Sequence, residues 1–192
     1  MGEVMAEMQI RAATNADIDM IHAELMDVIA TSPHYNDIFK AHEMGRLTKP
    51  FLRALVAHDP WHIMIMMSDG KPGGAMVSGP EYGAIFRYWS WVFPKFRDTK
   101  LGMFGMRAFD EHWDNNRFHK AYTFVRPENE VALLLLRRYG YKALFTMEKH
   151  LFGQDYVFVE KPYTKASEGY DHGVNLGRLG RLRQRLGNLV GA

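Results

Sequence analysis

The chain has 192 residues, 47% of them hydrophobic and 13% aromatic, with a formal net charge of +2 and no cysteine. That length buries a sizeable core in one domain with an appendage, and the lack of cysteine excludes disulfides, thiol catalysis and cysteine-based zinc sites. Residues 164–192 hold five Lys/Arg against Glu168 and Asp171, so +3 sits there and −1 on the rest, which argues against nucleic-acid binding by the core.

Residues 9–13 read as a short strand, and Thr14-Asn15-Ala16-Asp17 as the cap of a helix on which Ile18, Ile21, Leu25, Val28 and Ile29 recur at helical spacing. Ser32-Pro33 breaks that helix, and a second is expected over 48–57. Residues 61–67 form a strand, 69–74 a Gly/Pro-rich hairpin turn, and 75–78 the returning strand. The aromatic run 84–92 is the next strand, followed by a loop and a helix over 103–116. A strand at 119–125 leads to Arg126-Pro127-Glu128-Asn129, which caps an apolar helix over 131–139 ended by Gly140. Two more strands, 141–151 and 155–160, precede Pro162. The expected class is α/β (α+β), a mixed sheet with helices on both faces, in a domain of residues 1–163.

The stretch Val92-Phe93-Pro94-Lys95-Phe96-Arg97-Asp98-Thr99-Lys100-Leu101-Gly102 joins a strand to a helix N-terminus, where unpaired amides and the helix dipole favour an anion. It resembles the acyl-CoA loop of the GNAT superfamily of N-acetyltransferases, in which Val-x-Pro leads into Arg/Gln-x-x-Gly-x-Gly/Ala. Arg97 and Gly102 match, while Lys100 stands where the first glycine belongs. Ile10-Arg11 with Asp17, and Asn129-x-x-Ala132 with Tyr139-Gly140-Tyr141, are similar to the family's first strand and late helix, so the resemblance covers nearly all of 9–161.

The resemblance implies a mostly antiparallel sheet and transfer of an acetyl group from acetyl-CoA to an unidentified amine. It places Val92, Arg97, Asp98, Thr99, Lys100, Leu101 and Gly102 around the CoA diphosphate and Asn129 near the pantetheine arm. The plainer alternatives are a strand–loop–helix connection with solvated charges and, for Asn129, a simple helix cap. The family's catalytic tyrosine, four residues before the glycine, falls on Leu136. Tyr139 and Tyr141 lie beside it but point elsewhere at helical spacing, and Tyr139 is kept as a candidate acid. Glu81, in the turn before the central strand, is a candidate base or an ordinary turn carboxylate. Strand alternation sets Arg87, Trp89 and Trp91 on one face and Tyr88 with the third candidate, Ser90, on the other. The nine histidines show no metal-ligand spacing, so no metal is expected.

In the tail, Leu176, Leu179, Leu182, Leu186 and Leu189 form one helical stripe, and Arg178, Arg181 and Arg185 another. Gly177, Gly180 and Gly187 weaken such a helix by roughly 1 kcal/mol each. Residues 174–190 are therefore expected to order on a protein partner, an assembly or an anionic surface. The rival function is a non-catalytic GNAT-like structural or binding module docked through this tail, for example a virion component of a tailed phage. The N-terminus lacks an apolar signal core and no apolar run approaches the roughly 20 residues of a membrane span, so the expected location is cytoplasmic, or virion-associated for a phage protein.

Overall fold

The computed structural model describes residues 7–165. Strand β1 (Met8–Ala12) leads through a short 3-10 turn into helix α1 (Ile18–Thr31). Asp17 fixes that corner: its carboxylate takes two bonds from the Arg11 guanidinium, at 2.8 and 2.7 Å, and one from the Thr14 amide at 2.8 Å. From there Ile18, Ile21, Leu25 and Ile29 present one buried stripe.

Helix α2 (Asp37–Arg46) occupies a stretch that the sequence pattern leaves as a connection. It buries only Phe39 and Glu43 and exposes Ile38, so its apolar period is broken. Its start is nevertheless specified, because Asn36 Oδ1 accepts the Phe39 amide at 2.9 Å. Helix α3 (Lys49–His58) follows, capped by Thr48 and carrying Pro50 in its first turn.

Strands β2 (Ile63–Ser68), β3 (Lys71–Glu81) and β4 (Ala84–Val92) form an antiparallel meander joined by two-residue turns. Both turns hold positive φ: Asp69 48° with Gly70 72°, and Tyr82 52° with Gly83 78°. The first turn is thus only two residues long, and Lys71 to Gly74 belong to β3 rather than to a loop. Gly73 and Gly74 lie in the strand because larger residues would collide there. A Cβ on them would fall 2.6 Å from the Leu101 side chain and 2.5 Å from that of Met66.

Helix α4 (Leu101–Trp113), strand β5 (Lys120–Val125), helix α5 (Glu130–Arg138) and strands β6 (Lys142–Leu151) and β7 (Gln154–Pro162) complete the order. The seven strands lie in the sequence β1-β2-β3-β4-β5-β7-β6, antiparallel except for the parallel β4–β5 pair. One core, built around Met66, Phe109, Trp113 and Leu136, lies on the face covered by α4 and α5. The other, built around Ile21, Leu25, Leu52 and Ile65, lies under α1 and α3. The mixed, mostly antiparallel sheet with helices on both faces is therefore as expected. The tail stripe of residues 174–190 lies outside the described residues.

Two irregularities in β4 position everything below. First, β4 and β5 pair at only two positions, Ile85 with Ala121 and Phe86 with Tyr122, and then part. At the parting point Thr123 Oγ1 donates to the Arg87 carbonyl at 2.9 Å, a side chain standing in for the ladder. Second, the β3–β4 register runs from Val77 opposite Trp89 to Ser78 opposite Arg87, so Tyr88 is an extra residue with no partner in β3. The bulge reverses the phase of the strand. Arg87 packs on the α4 side against Phe109, whereas Tyr88, Trp89 and Trp91 join the α1–α3 core. Simple alternation, which groups Arg87 with Trp89 and Trp91 and Tyr88 with Ser90, fails here for that reason.

Candidate functional site

The parted strands open a cleft of about 500 Å³ between β4 and β5, roofed by α5 and by the segment joining α1 to α2. Ser90, Arg97 and Asn129 line it, together with Arg87, Tyr88 and Thr123. Asn129 caps α5, its Oδ1 accepting the Ala132 amide at 3.2 Å, and it also lines the cleft. The roof is anchored at the His34 carbonyl, which accepts from Arg126 Nε at 3.0 Å and Gln154 Nε2 at 3.3 Å.

At the outer end of the cleft the chain turns from β4 into α4. Thr99 Oγ1 donates to the Phe96 carbonyl at 2.6 Å and accepts the Leu101 amide at 3.2 Å, while the Lys100 carbonyl takes the amide of Phe104. Buried Leu101 pins the helix to the sheet, and half-buried Val92 sits 3.3 Å from where a Gly102 Cβ would be. The first-turn amides of Gly102 and Met103 are left for an external acceptor. Arg97, Asp98 and Lys100 are exposed around them. Lys100 has φ −78° and ψ 6°, a conformation open to any L residue, so the missing glycine introduces no backbone strain.

A second cavity of about 400 Å³ opens on the other side of the parting and shares Tyr35, Tyr88, Trp89, Thr123 and Phe124 with the first. Its walls are α2 and the β6–β7 turn, tied together where Asn36 Nδ2 donates to the Phe152 carbonyl at 3.0 Å. Aromatic rings dominate: Tyr35 stacks on Phe39 at 4.3 Å between centroids, and Phe152 meets Phe39 edge-on at 6.3 Å. Burial pushes the Tyr35 hydroxyl up to about 12, so it stays protonated at neutral pH. Glu43, 5% exposed, is held by Arg46 at 2.8 and 2.9 Å and by Trp89 Nε1 at 2.8 Å. That network locks the cavity floor and leaves the carboxylate spoken for.

Tyr88 stands at the junction of the two cavities. Its hydroxyl donates to Glu81 Oε1 at 3.0 Å, and the Tyr122 hydroxyl donates to Glu81 Oε2 at 2.8 Å. Burial and then the Glu81 charge raise the Tyr88 pKa; burial and the bond to Glu81 raise that of Tyr122. Glu81 is the last residue of β3 rather than a turn residue, and it reaches the cleft only through Tyr88. Tyr139 ends α5 and packs against the α4–α5 core, away from both cavities, and Leu136 fills the position that faces the first. Of the three residues singled out for chemistry, Ser90 lines the cleft directly.

The sequence pattern did not single out Tyr35, Phe39, Glu43 or Arg46, because the helix that carries most of them was not recognised. The Asn36-Asp37 cap signal was the available clue. Among the described residues there is no group of His, Asp or Glu suited to a metal ion and no helix long and apolar enough to cross a membrane.

No family model matches the chain, and no curated protein matches it in sequence. Its likeness to solved structures is extensive. A GNAT-superfamily phosphinothricin acetyltransferase from Sinorhizobium meliloti, in complex with AcCoA, superposes with a TM-score of 0.69 at 13% identity, over 88% of this chain and 99% of that one. The putative acetyltransferase yncA from Salmonella typhimurium, with acetyl-CoA, gives 0.65 at 15% identity over 84% and 96%. A ribosomal-protein-alanine N-acetyltransferase from Brucella melitensis gives 0.64 at 18% identity over 80% and 99%. Likeness at this level of identity speaks to architecture: the chain has the fold of the GNAT superfamily of N-acetyltransferases.

Proposed function

We propose that the protein transfers an acyl group, acetyl in the simplest case, from a coenzyme A thioester to an amine. The observation that carries this reading is the pair of cavities meeting at the β4–β5 parting, one running to a helix N-terminus and the other walled by aromatic rings. Gly102 and Met103 amides, with Arg97 and Lys100, suit a diphosphate at the outer end; Asp98 opposes them. The cleft leads from there to Tyr88, with Asn129 and Ser90 along its wall. The acceptor enters from the second cavity.

At the junction the amine nitrogen forms the new C–N bond to the acyl carbon while the C–S bond breaks and sulfur leaves as thiolate. The amine gives up one proton. Tyr88 is placed to take it on Oη while passing its own proton to Glu81 Oε1, which makes Tyr88 the catalytic residue and Glu81 a positioning and storage group. The bulge also sets the Tyr88 amide outside the β3 ladder, beside a gap that β5 has left, where a backbone N–H polarises a carbonyl. Leu136 supplies no acid, and a thiolate is a good enough leaving group to depart without one.

The test is calorimetric titration of coenzyme A into the full-length protein, followed by turnover of acetyl-CoA with a panel of aryl and alkyl amines. Micromolar binding is expected, and Tyr88→Phe should lower kcat about 100-fold with coenzyme A affinity unchanged. Glu81→Gln should shift the pH profile as well as the rate. No binding at millimolar coenzyme A would refute the reading.

A further inference from the structure

Resting on that reading, we infer that Arg87 makes this site selective for an acyl group that itself carries a carboxylate, so that the preferred donor is the coenzyme A thioester of a dicarboxylic acid. Arg87 is the first β4 residue beyond the last β4–β5 pair, is 5% exposed and lines the donor cleft. Its guanidinium lies between the rings of Phe109 and Tyr141, 5.3 and 5.2 Å from their centroids, and Nη1 points to Met106 Sδ at 2.7 Å. A thioether is a weak acceptor. Among the described residues no carboxylate lies within ion-pair distance of this guanidinium.

The acid of this core, Asp110, reaches Arg87 only through the Tyr141 hydroxyl, which interacts with both. Its Oδ2 takes Lys161 Nζ at 2.7 Å and its Oδ1 takes the Tyr141 hydroxyl at 2.8 Å. Arg87 and Lys161 thus set two positive charges against one negative. A buried guanidinium whose nearest carboxylate is reached only through a tyrosine hydroxyl keeps N–H groups that a ligand's carboxylate can take.

Which part of the ligand does so follows from the strand. Val92 lies five positions beyond Arg87, and at about 3.3 Å per step this places Arg87 roughly 17 Å along β4 from the proposed diphosphate loop. The guanidinium therefore meets the far end of the donor, where the acyl group lies. Acetyl has no charge to offer there. A terminal carboxylate, as in a succinyl group, accepts two parallel N–H bonds from an arginine fork.

The experiment compares coenzyme A, acetyl-CoA and succinyl-CoA in calorimetric titrations against the full-length protein, and then their transfer rates to one amine. Succinyl-CoA is expected to bind at least about tenfold tighter than acetyl-CoA. Arg87→Met should erase that difference while leaving coenzyme A affinity as it was. Coenzyme A and acetyl-CoA binding with no gain for succinyl-CoA would overturn this inference alone. An arginine serving only the departing thiolate would give that result, because it treats every donor alike. Binding of none of the three would overturn the proposed function as well. The wild-type comparison needs no variant, so poor folding of Arg87→Met does not rescue the idea.

Discussion

Replacing Lys100 by glycine would bring the loop closer to the superfamily pattern, yet the structure predicts weaker coenzyme A binding. Glycine helps in such a loop when the backbone needs φ > 0, a conformation that costs an L residue roughly 1–2 kcal/mol. Lys100 sits at φ −78°, so there is no strain to relieve. Two losses remain. The exposed ammonium contributes roughly 0.5–1 kcal/mol to an anion beside it, and the glycine's extra freedom costs about 0.5–1 kcal/mol on ordering. Together about 1–2 kcal/mol corresponds to binding weakened roughly 5- to 30-fold. Calorimetric titration of coenzyme A into wild type and Lys100→Gly, at about 0.1 M and about 1 M salt, measures both parts. The charge contribution should fade at the higher salt, where the Debye length is only about 3 Å, and the entropic part should stay. Tighter or equal binding by Lys100→Gly would show that the backbone here is read wrongly.

Gly79→Ala should act on the junction from behind, because Gly79 lines neither cavity whereas Tyr88 lines both. A Cβ there would lie 2.8 Å from Tyr88 Cε2 and 2.9 Å from its hydroxyl, so the ring must swing off Glu81. Overpacking of this kind costs about 1–3 kcal/mol, to be read as a Tm lowered by several degrees with kcat falling alongside that of Tyr88→Phe; an unchanged kcat would contradict the assigned role. Acid should expose the Arg11–Asp17 corner. Bonds from Arg11 hold the Asp17 pKa well below its usual range, so the unfolded chain binds the proton first as pH drops. The stabilisation is fully present above about pH 4 and is lost as pH falls through the folded value. Thermal melts of wild type and Asp17→Asn should differ by a constant amount above about pH 5 and converge towards pH 2; a gap that persists into strong acid would refute the pairing.

Most strands and three of the five helices were legible because their apolar positions recur with a single period: Ile18 to Ile29 on α1, Leu52 to Val56 on α3, and the alternating Ala121, Thr123 and Val125 of β5. Helix α4 was legible mainly from its start, where Pro94 lies in the connecting loop and Gly102 in the first turn. Helix α2 was hidden because a salt-bridged glutamate occupies its buried face, and burial of a charge leaves no hydrophobic trace in sequence. The passage from β4 through a loop into the N-terminus of α4 could be read locally, since it depends on neighbouring residues. The aromatic cavity could not, because Phe39 and Phe152 are brought together across more than one hundred residues by the Asn36 bond to the β6–β7 turn.

The bulge at Tyr88 explains both the misreading of β4 and the chemistry proposed for it. A regular strand would have sent Arg87, Trp89 and Trp91 to one face, burying a cation among the α1–α3 aliphatics or exposing two indoles to α4. One extra residue instead lets Trp89 reach Glu43 on one side while Arg87 enters the core beneath α4 on the other. The same residue, freed from the β3 ladder just past the last β4–β5 pair, is the one whose side chain stands between the two cavities. Deleting Tyr88 should therefore do more than remove a hydroxyl. It would close the bulge with Ser78 still opposite Arg87 and Val77 still opposite Trp89, so those residues keep their faces while the side chain and the unpaired backbone between the two cavities are lost. A Tyr88 deletion that kept wild-type donor binding would show that the bulge is incidental to the site.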